Sequence, residues 1–178
     1  ERSFEQASTL LDQVLAQAPE DANALHFKAI AEYSLRNFSN AQTYIDKVLQ
    51  KHSDNINILK NAIPIYDHAK NFPKALDTCE KLLALLPTEK GLCTRASKIA
   101  LGLKNLQKAL QYAKQATKQT PDDFSAVLQY AACLYASNQL ELAKQNYKKA
   151  IALKPDKYAP YASLARLFLR VGRHDRAL

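Results

Sequence analysis

Alanine stands at residues 7, 41, 75, 109, 143 and 177, each 34 positions after the last. No insertion or deletion disturbs the register. One supersecondary unit therefore recurs along the whole chain, and this period limits the fold more tightly than any other feature. The surroundings repeat as well. Three residues before each alanine stand Phe4, Phe38, Phe72, Leu106 and Leu140, with His174 in the final copy. Twelve residues after it come Pro19, Pro87, Pro121 and Pro155, with Ser53 the exception.

Within a unit the spacing is helical. Across 140–153, Leu140, Ala143, Tyr147, Ala150, Ile151 and Leu153 fall at three- and four-residue steps, and Lys144, Lys148 and Lys149 take the other face. The stripe stops at Lys154-Pro155, because a residue ahead of proline is pushed out of the α region. Gly and Pro are scarce and sit mostly at corners, and no stretch alternates as a strand does. This pattern resembles a tetratricopeptide repeat array of the bacterial type, whose 34-residue helix–turn–helix unit carries an A-x3-F…P signature in its second half. The resemblance covers essentially all of the chain. It implies an all-α, right-handed solenoid of antiparallel helix pairs.

With the recurrent alanine at place 20 of each unit, full repeats are predicted at 22–55, 56–89, 90–123 and 124–157. Residues 1–21 are then the back end of one unit and 158–178 the front end of another, all in a single array. Starting and stopping inside a unit marks the chain as a segment of a longer protein. The family's small residue at place 8, where two helices cross closely, is met by Ala29, Ser97, Ala131 and Ala165, whereas Ile63 breaks it. Place 4, tryptophan-like in the family, holds Leu25, Leu59, Cys93, Val127 and Tyr161, all able to be buried. Pro64 lies inside the first helix of the 56–89 unit. Its ring meets the carbonyl of Lys60 and removes one backbone hydrogen bond, which costs about 3 kcal/mol or a kink. A bent helix is predicted there.

Catalytic chemistry has no visible basis in the sequence. His26, His52, His68 and His174 are scattered, with no H-E-x-x-H and no nucleophile elbow. Only three glycines exist, so no Gly-rich loop cradles a phosphate. Asp122-Asp123 sits where a turn and helix start call for capping oxygens. The expectation is no enzyme, no cofactor and no metal site. Cys79, Cys93 and Cys133 lie in apolar helical contexts without C-x2-C spacing, so they read as buried free thiols in a reducing, cytoplasmic setting. A bridge between Cys79 and Cys93 is the alternative. No apolar run approaches the ~18 residues of a membrane span.

The charge is uneven. Residues 1–89 carry 9 Lys/Arg against 12 Asp/Glu, and residues 90–178 carry 16 against 5, giving −3 and +11. Such a sign change directs a partner's approach. The resemblance implies a concave face lined by the first helix of each unit, at places 2, 5, 6, 9, 12 and 13. Carried onto this chain, the site residues are Asn23 and His26, then Asn57, Lys60 and Asn61, then Arg95 and Lys98, then Gln129 and Tyr135, then Arg166 and Arg170. Phe27, Ile30, Tyr33, Asp67, His68, Thr94, Leu128 and Ser163 accompany them. Amides satisfy a peptide backbone, and arginine forks around carboxylates. The family's chaperone-binding clamp is matched at two of five positions, Asn61 and Arg95, where His26, Ile30 and Gly91 depart from it. The asparagine ladder of members attached to a sugar transferase is also absent, since its places hold Phe27, Asn61, Arg95, Gln129 and Ser163.

The expected function is therefore a protein-interaction scaffold for an acidic peptide or partner domain. One alternative is a docking segment of a larger enzyme, such as a transferase. A minor alternative is nucleic-acid binding through the basic half, which lacks aromatics interleaved for base stacking. Open solenoid ends add the possibility of self-association.

Overall fold

The computed structural model describes residues 2–175, and the alanine predicted at the end of the register, residue 177, lies outside them. Ten helices form among the described residues, and no strand does. The chain divides into two compact units, 1–87 and 88–178. The first holds α1 (Arg2–Gln17), α2 (Ala22–Ser34), α3 (Phe38–Lys51), α4 (Ile56–His68) and α5 (Phe72–Leu85). The second holds α6 (Leu92–Gly102), α7 (Leu106–Gln119), α8 (Phe124–Ala136), α9 (Leu140–Leu153) and α10 (Tyr158–Asp175).

The periodic small residues explain the pairing. Ala41, Ala75, Ala109 and Ala143 are fully buried, as are Ala29, Ser97 and Ala131 on the facing helices. Side chains this small let α2 meet α3, α6 meet α7 and α8 meet α9 at close range. Ile63 breaks the small-residue pattern, yet it is also buried. Starts and stops follow local chemistry. Asp21, Asn55 and Asp123 accept from backbone amides at the first turns of α2, α4 and α8, and Asn71 and Asn105 do so for α5 and α7. Helices α1, α5, α7 and α9 each end two residues before a proline.

The turn inside each pair is the same object four times. Arg36, Lys70, Lys104 and Asn138 take positive φ between 59° and 64°. Each is followed by an amide bonded back five residues: Asn37 to Glu32, Asn71 to Tyr66, Asn105 to Ala100 and Gln139 to Leu134. This is the six-to-one bond of a Schellman ending, in which the left-handed place usually falls to glycine. Elsewhere, Gly91 caps α6 at φ 79°, and α6 accordingly starts at Leu92 and runs only 11 residues. Pro64 does not break its helix: α4 runs from Ile56 through to His68.

Both units bury apolar side chains, and the first adds a buried charge cluster. In the second, Ala131, Leu134, Ala143, Tyr147 and Leu167 form an apolar core. In the first, α1 meets α2 around a charge cluster. Lys28, which is buried, donates to Asp12 at 2.7 Å and to Ser8 Oγ at 2.6 Å, and it lies 3.2 Å from Glu32. Glu32 accepts from Ser8 at 2.8 Å and from Asn37 at 2.9 Å. Every oxygen and nitrogen of the buried pair therefore has a partner, which is the condition under which such a pair is tolerated.

Candidate functional site

The residues expected to line a binding face all lie on first helices. On α2, Asn23 and Phe27 are exposed and His26 is half-buried. On α4, Asn57 and Lys60 are exposed and Asn61 is half-buried. Two of these meet across the helices: the Asn61 amide nitrogen lies 3.1 Å from His26 Nε2, which accepts its hydrogen. Burial lowers the imidazole's pKa below its ordinary 6.5, so the neutral, accepting form fits this contact. The His26 ring also stacks on Phe27, with centroids 5.8 Å apart.

A second cross-helix contact stands at the other end of the same two helices. His68 Nδ1 donates to the Pro64 carbonyl at 2.9 Å and lies 3.2 Å from Tyr33 Oη. Its ring meets Tyr33 edge-on at 5.3 Å. Thirty-five residues separate the partners in each contact, one period plus one, so the repeat itself sets α2 beside α4. The resulting surface offers an amide, an exposed phenyl ring and a lysine within a small span.

In the second unit the expected residues separate into free and tied groups. Arg95 and Lys98 on α6 and Arg166 on α10 are exposed. Gln129 on α8 is tied: its Nε2 donates to Ser97 Oγ at 3.2 Å, and Ser97 in turn donates to the Ala109 carbonyl at 2.8 Å. Arg170 is tied more firmly. Nη1 donates to the Tyr135 carbonyl at 3.3 Å, Nη2 donates to Asn138 at 2.9 Å, and the guanidinium stands 5.1 Å from the Tyr135 ring centroid. Arginine and tyrosine are thus brought together, with the cation engaged by its neighbours. Asn138 was not singled out by sequence reasoning. Its signal was the left-handed turn place, where asparagine is tolerated better than most residues. Helix α8 stands between α6 and α10, so Arg95 and Lys98 are not in the same cluster as Arg166.

The thiols are quiet. Cys79, Cys93 and Cys133 are buried, and none of them is in a disulfide. Burial raises the pKa of Cys93 and Cys133, and the weaker opposing hydrogen bonds from Ser97 and Gln129 do not reverse this for Cys133. Among the described residues no group of His, Cys, Asp or Glu is gathered to hold a metal ion. No helix among them is long and apolar enough to cross a membrane.

Comparison with known proteins agrees with this geometry. Tetratricopeptide repeat family models match residues 1–56 and 100–145. The fold is similar to that of a tetratricopeptide repeat protein from Parabacteroides merdae, at 19% identity over 98% of this chain and 69% of that one, TM-score 0.83. It is similar to YrrB, described as a TPR protein with an unusual peptide-binding site, at 20% identity over 94% and 87%, TM-score 0.70. It is also similar to the first TPR of Spaghetti (RPAP3) bound to the HSP90 peptide SRMEEVD, at 20% identity over 66% and 93%, TM-score 0.63. Among curated proteins none matches. With its 34-residue register, its paired helices and these matches, the chain belongs to the tetratricopeptide repeat family.

Proposed function

We propose that this chain is a protein-interaction scaffold that binds an acidic peptide or the acidic face of a partner domain. Binding runs along its first helices, the concave face of the repeats 22–55, 56–89, 90–123 and 124–157 within a single array. The observation that carries the reading is the set Arg95, Lys98 and Arg166. These three cations are exposed on first helices, with no carboxylate paired to them among the described residues. Unpaired cations on a repeat surface attract carboxylates, and the arginines add bidentate geometry. Asn23, Asn57 and Asn61 supply amide contacts for a peptide backbone, and exposed Phe27 supplies an apolar anchor. Peptide recognition by YrrB and by the Spaghetti domain on a similar fold supports the class of ligand.

The test is fluorescence anisotropy with a labelled glutamate-rich peptide and a glutamine-rich control of the same length. Tighter binding of the acidic peptide is expected, with a loss of tenfold or more, about 1.4 kcal/mol, in the Arg95→Glu/Arg166→Glu double variant. Equal affinity for both peptides, or no change in the variant, sinks the assignment.

A further inference from the structure

Beside the turn between α4 and α5 lies an open cleft of about 650 Å³, wholly inside the first unit. Its walls come from α3, from the end of α4 with the turn, and from the start of α5. On one side the rings of Phe38 and His68 meet, with centroids 5.2 Å apart. The bond from His68 Nδ1 to the Pro64 carbonyl fixes the imidazole there. Ser39, Gln42 and Lys70 supply polar groups around these rings. The Gln42 carbonyl accepts from Asn71 at 3.4 Å, which leaves its NH2 as a donor. Lys70 is exposed, and no carboxylate among the described residues pairs with it. Its nearest described partner is the Phe72 ring, 5.9 Å from the ammonium. Among the described residues no carboxylate lines the cleft.

The repeat does not impose this chemistry. Two periods on, at the turn between α8 and α9, the same backbone recurs, with Asn138 at φ 60° where Lys70 has 62°. Yet Leu110 stands in the place of Gln42, Ala136 in that of His68, Asn138 in that of Lys70 and Glu141 in that of Pro73. Leu110 packs against the apolar core of that unit. The helix pair therefore forms without an amide, an imidazole or an ammonium at these places, and with a carboxylate among them. In the first unit an apolar contact has been given up and donors gather around one cation. Such local departures from what the fold needs point to a ligand.

The donors indicate which ligand. Lysine holds phosphate as a compact point charge, whereas bidentate grip on a carboxylate belongs to arginine, and none lines this cleft. A phosphate monoester brings three strong acceptor oxygens and nearly two charges, enough to engage Lys70, Ser39 and Gln42 together. Small-molecule sites enclose most of their ligand. Here Ser39, His68 and Lys70 are all exposed, so the group is presented from outside.

We propose that this cleft receives a phosphorylated side chain of a partner protein. The phosphate meets Lys70, Ser39 and Gln42, and the stem of the side chain lies against Phe38 and His68. The site draws on none of Arg95, Lys98 and Arg166, so it stands or falls independently of the acidic-peptide reading.

Fluorescence anisotropy tests this with short, otherwise neutral labelled peptides carrying one phosphoserine or one phosphotyrosine. Phosphorylation is expected to tighten binding about tenfold or more over the unmodified peptide. Lys70→Gly removes the cation at a left-handed place that glycine adopts freely, so it should abolish that gain with the helix content unchanged. Gln42→Leu, which installs the residue found at Leu110, should weaken the gain, and Lys104→Gly, the same turn place in the second unit, should leave it intact. Any of four results overturns the proposal: no gain from either phosphate, full binding by Lys70→Gly, an equal gain from glutamate at the modified position, or free adenosine monophosphate competing more tightly than both phosphopeptides.

Discussion

The first unit fastens α1 to α2 with a lysine, two carboxylates and a serine; the second fastens α8 to α9 with alanine, leucine and tyrosine. Helix geometry, turn and register are nevertheless the same in both. Fold specification in this chain therefore rests on the small residues at the crossings and on the turns, and it tolerates two kinds of core chemistry. The two should fail differently.

The largest expected effect separates them. Lys28→Ala leaves Glu32 buried without its cation and should cost about 3–5 kcal/mol in urea unfolding. Replacing the pair together, as Lys28→Met/Glu32→Leu, should recover most of that loss, because hydrophobic residues of similar volume commonly match a buried pair. In the apolar core of the second unit, Leu134→Ala should cost about 2–5 kcal/mol by opening a cavity. If the double variant is as unstable as Lys28→Ala, the cluster supplies something beyond mutual neutralisation, and the contrast between units is deeper than drawn.

Acid and base provide an intermediate effect. Burial alone would raise the pKa of Glu32, but hydrogen bonds from Asn37, Ser8 and Lys28 outweigh it and hold the carboxyl below its ordinary 4.5. The stability this contributes is present above 4.5 and is lost as pH falls through the lower folded value. Burial alone would lower Lys28, but bonds to Asp12 and Glu32 hold it above 10.5, so its contribution is complete below 10.5 and is lost as pH rises through the folded value. The urea midpoint should therefore fall at both extremes. That dependence should flatten in Lys28→Met/Glu32→Leu, and an unchanged pH profile in the double variant would remove the cluster as its source.

The smallest effect concerns what the units share. Lys70 and Lys104 hold left-handed backbone at a place where L side chains pay about 1–2 kcal/mol. Lys70→Gly and Lys104→Gly should each stabilise by about 1 kcal/mol, one per unit, read as a rise in thermal midpoint. A gain in only one unit would show that the turns are equivalent in shape alone.

The sequence revealed the pairing because one residue type answers one geometric demand. An alanine every 34 positions marks a close crossing, and the four such alanines inside the pairs, Ala41, Ala75, Ala109 and Ala143, are fully buried. The charge cluster was hidden because periodicity reading sorts lysine and glutamate to the solvent side, and only a neighbouring helix reveals that Lys28 and Glu32 face inward. Pro64 shows its local cost in the sequence, yet α4 is continuous through it from Ile56 to His68. The late start of α6 went unforeseen for the opposite reason, since Gly91 reads as a neutral gap until its left-handed φ is known. On the candidate face, residue type could place Tyr135 and Arg170 on the expected helices. Their engagement with each other depends on α8 lying beside α10, which no single helix encodes.

Within each unit the substantial helix contacts join helices that are consecutive or one apart, as α2 with α3 and α4, or α8 with α9 and α10. Little of the chain must therefore wait for a distant segment before it can bury its apolar stripe. Chains of such local topology fold in roughly microseconds to milliseconds, faster than a ribosome adds a residue. Each pair can close as soon as its second helix has been made, so synthesis from the amino end should leave only the most recent helix uncovered at any moment.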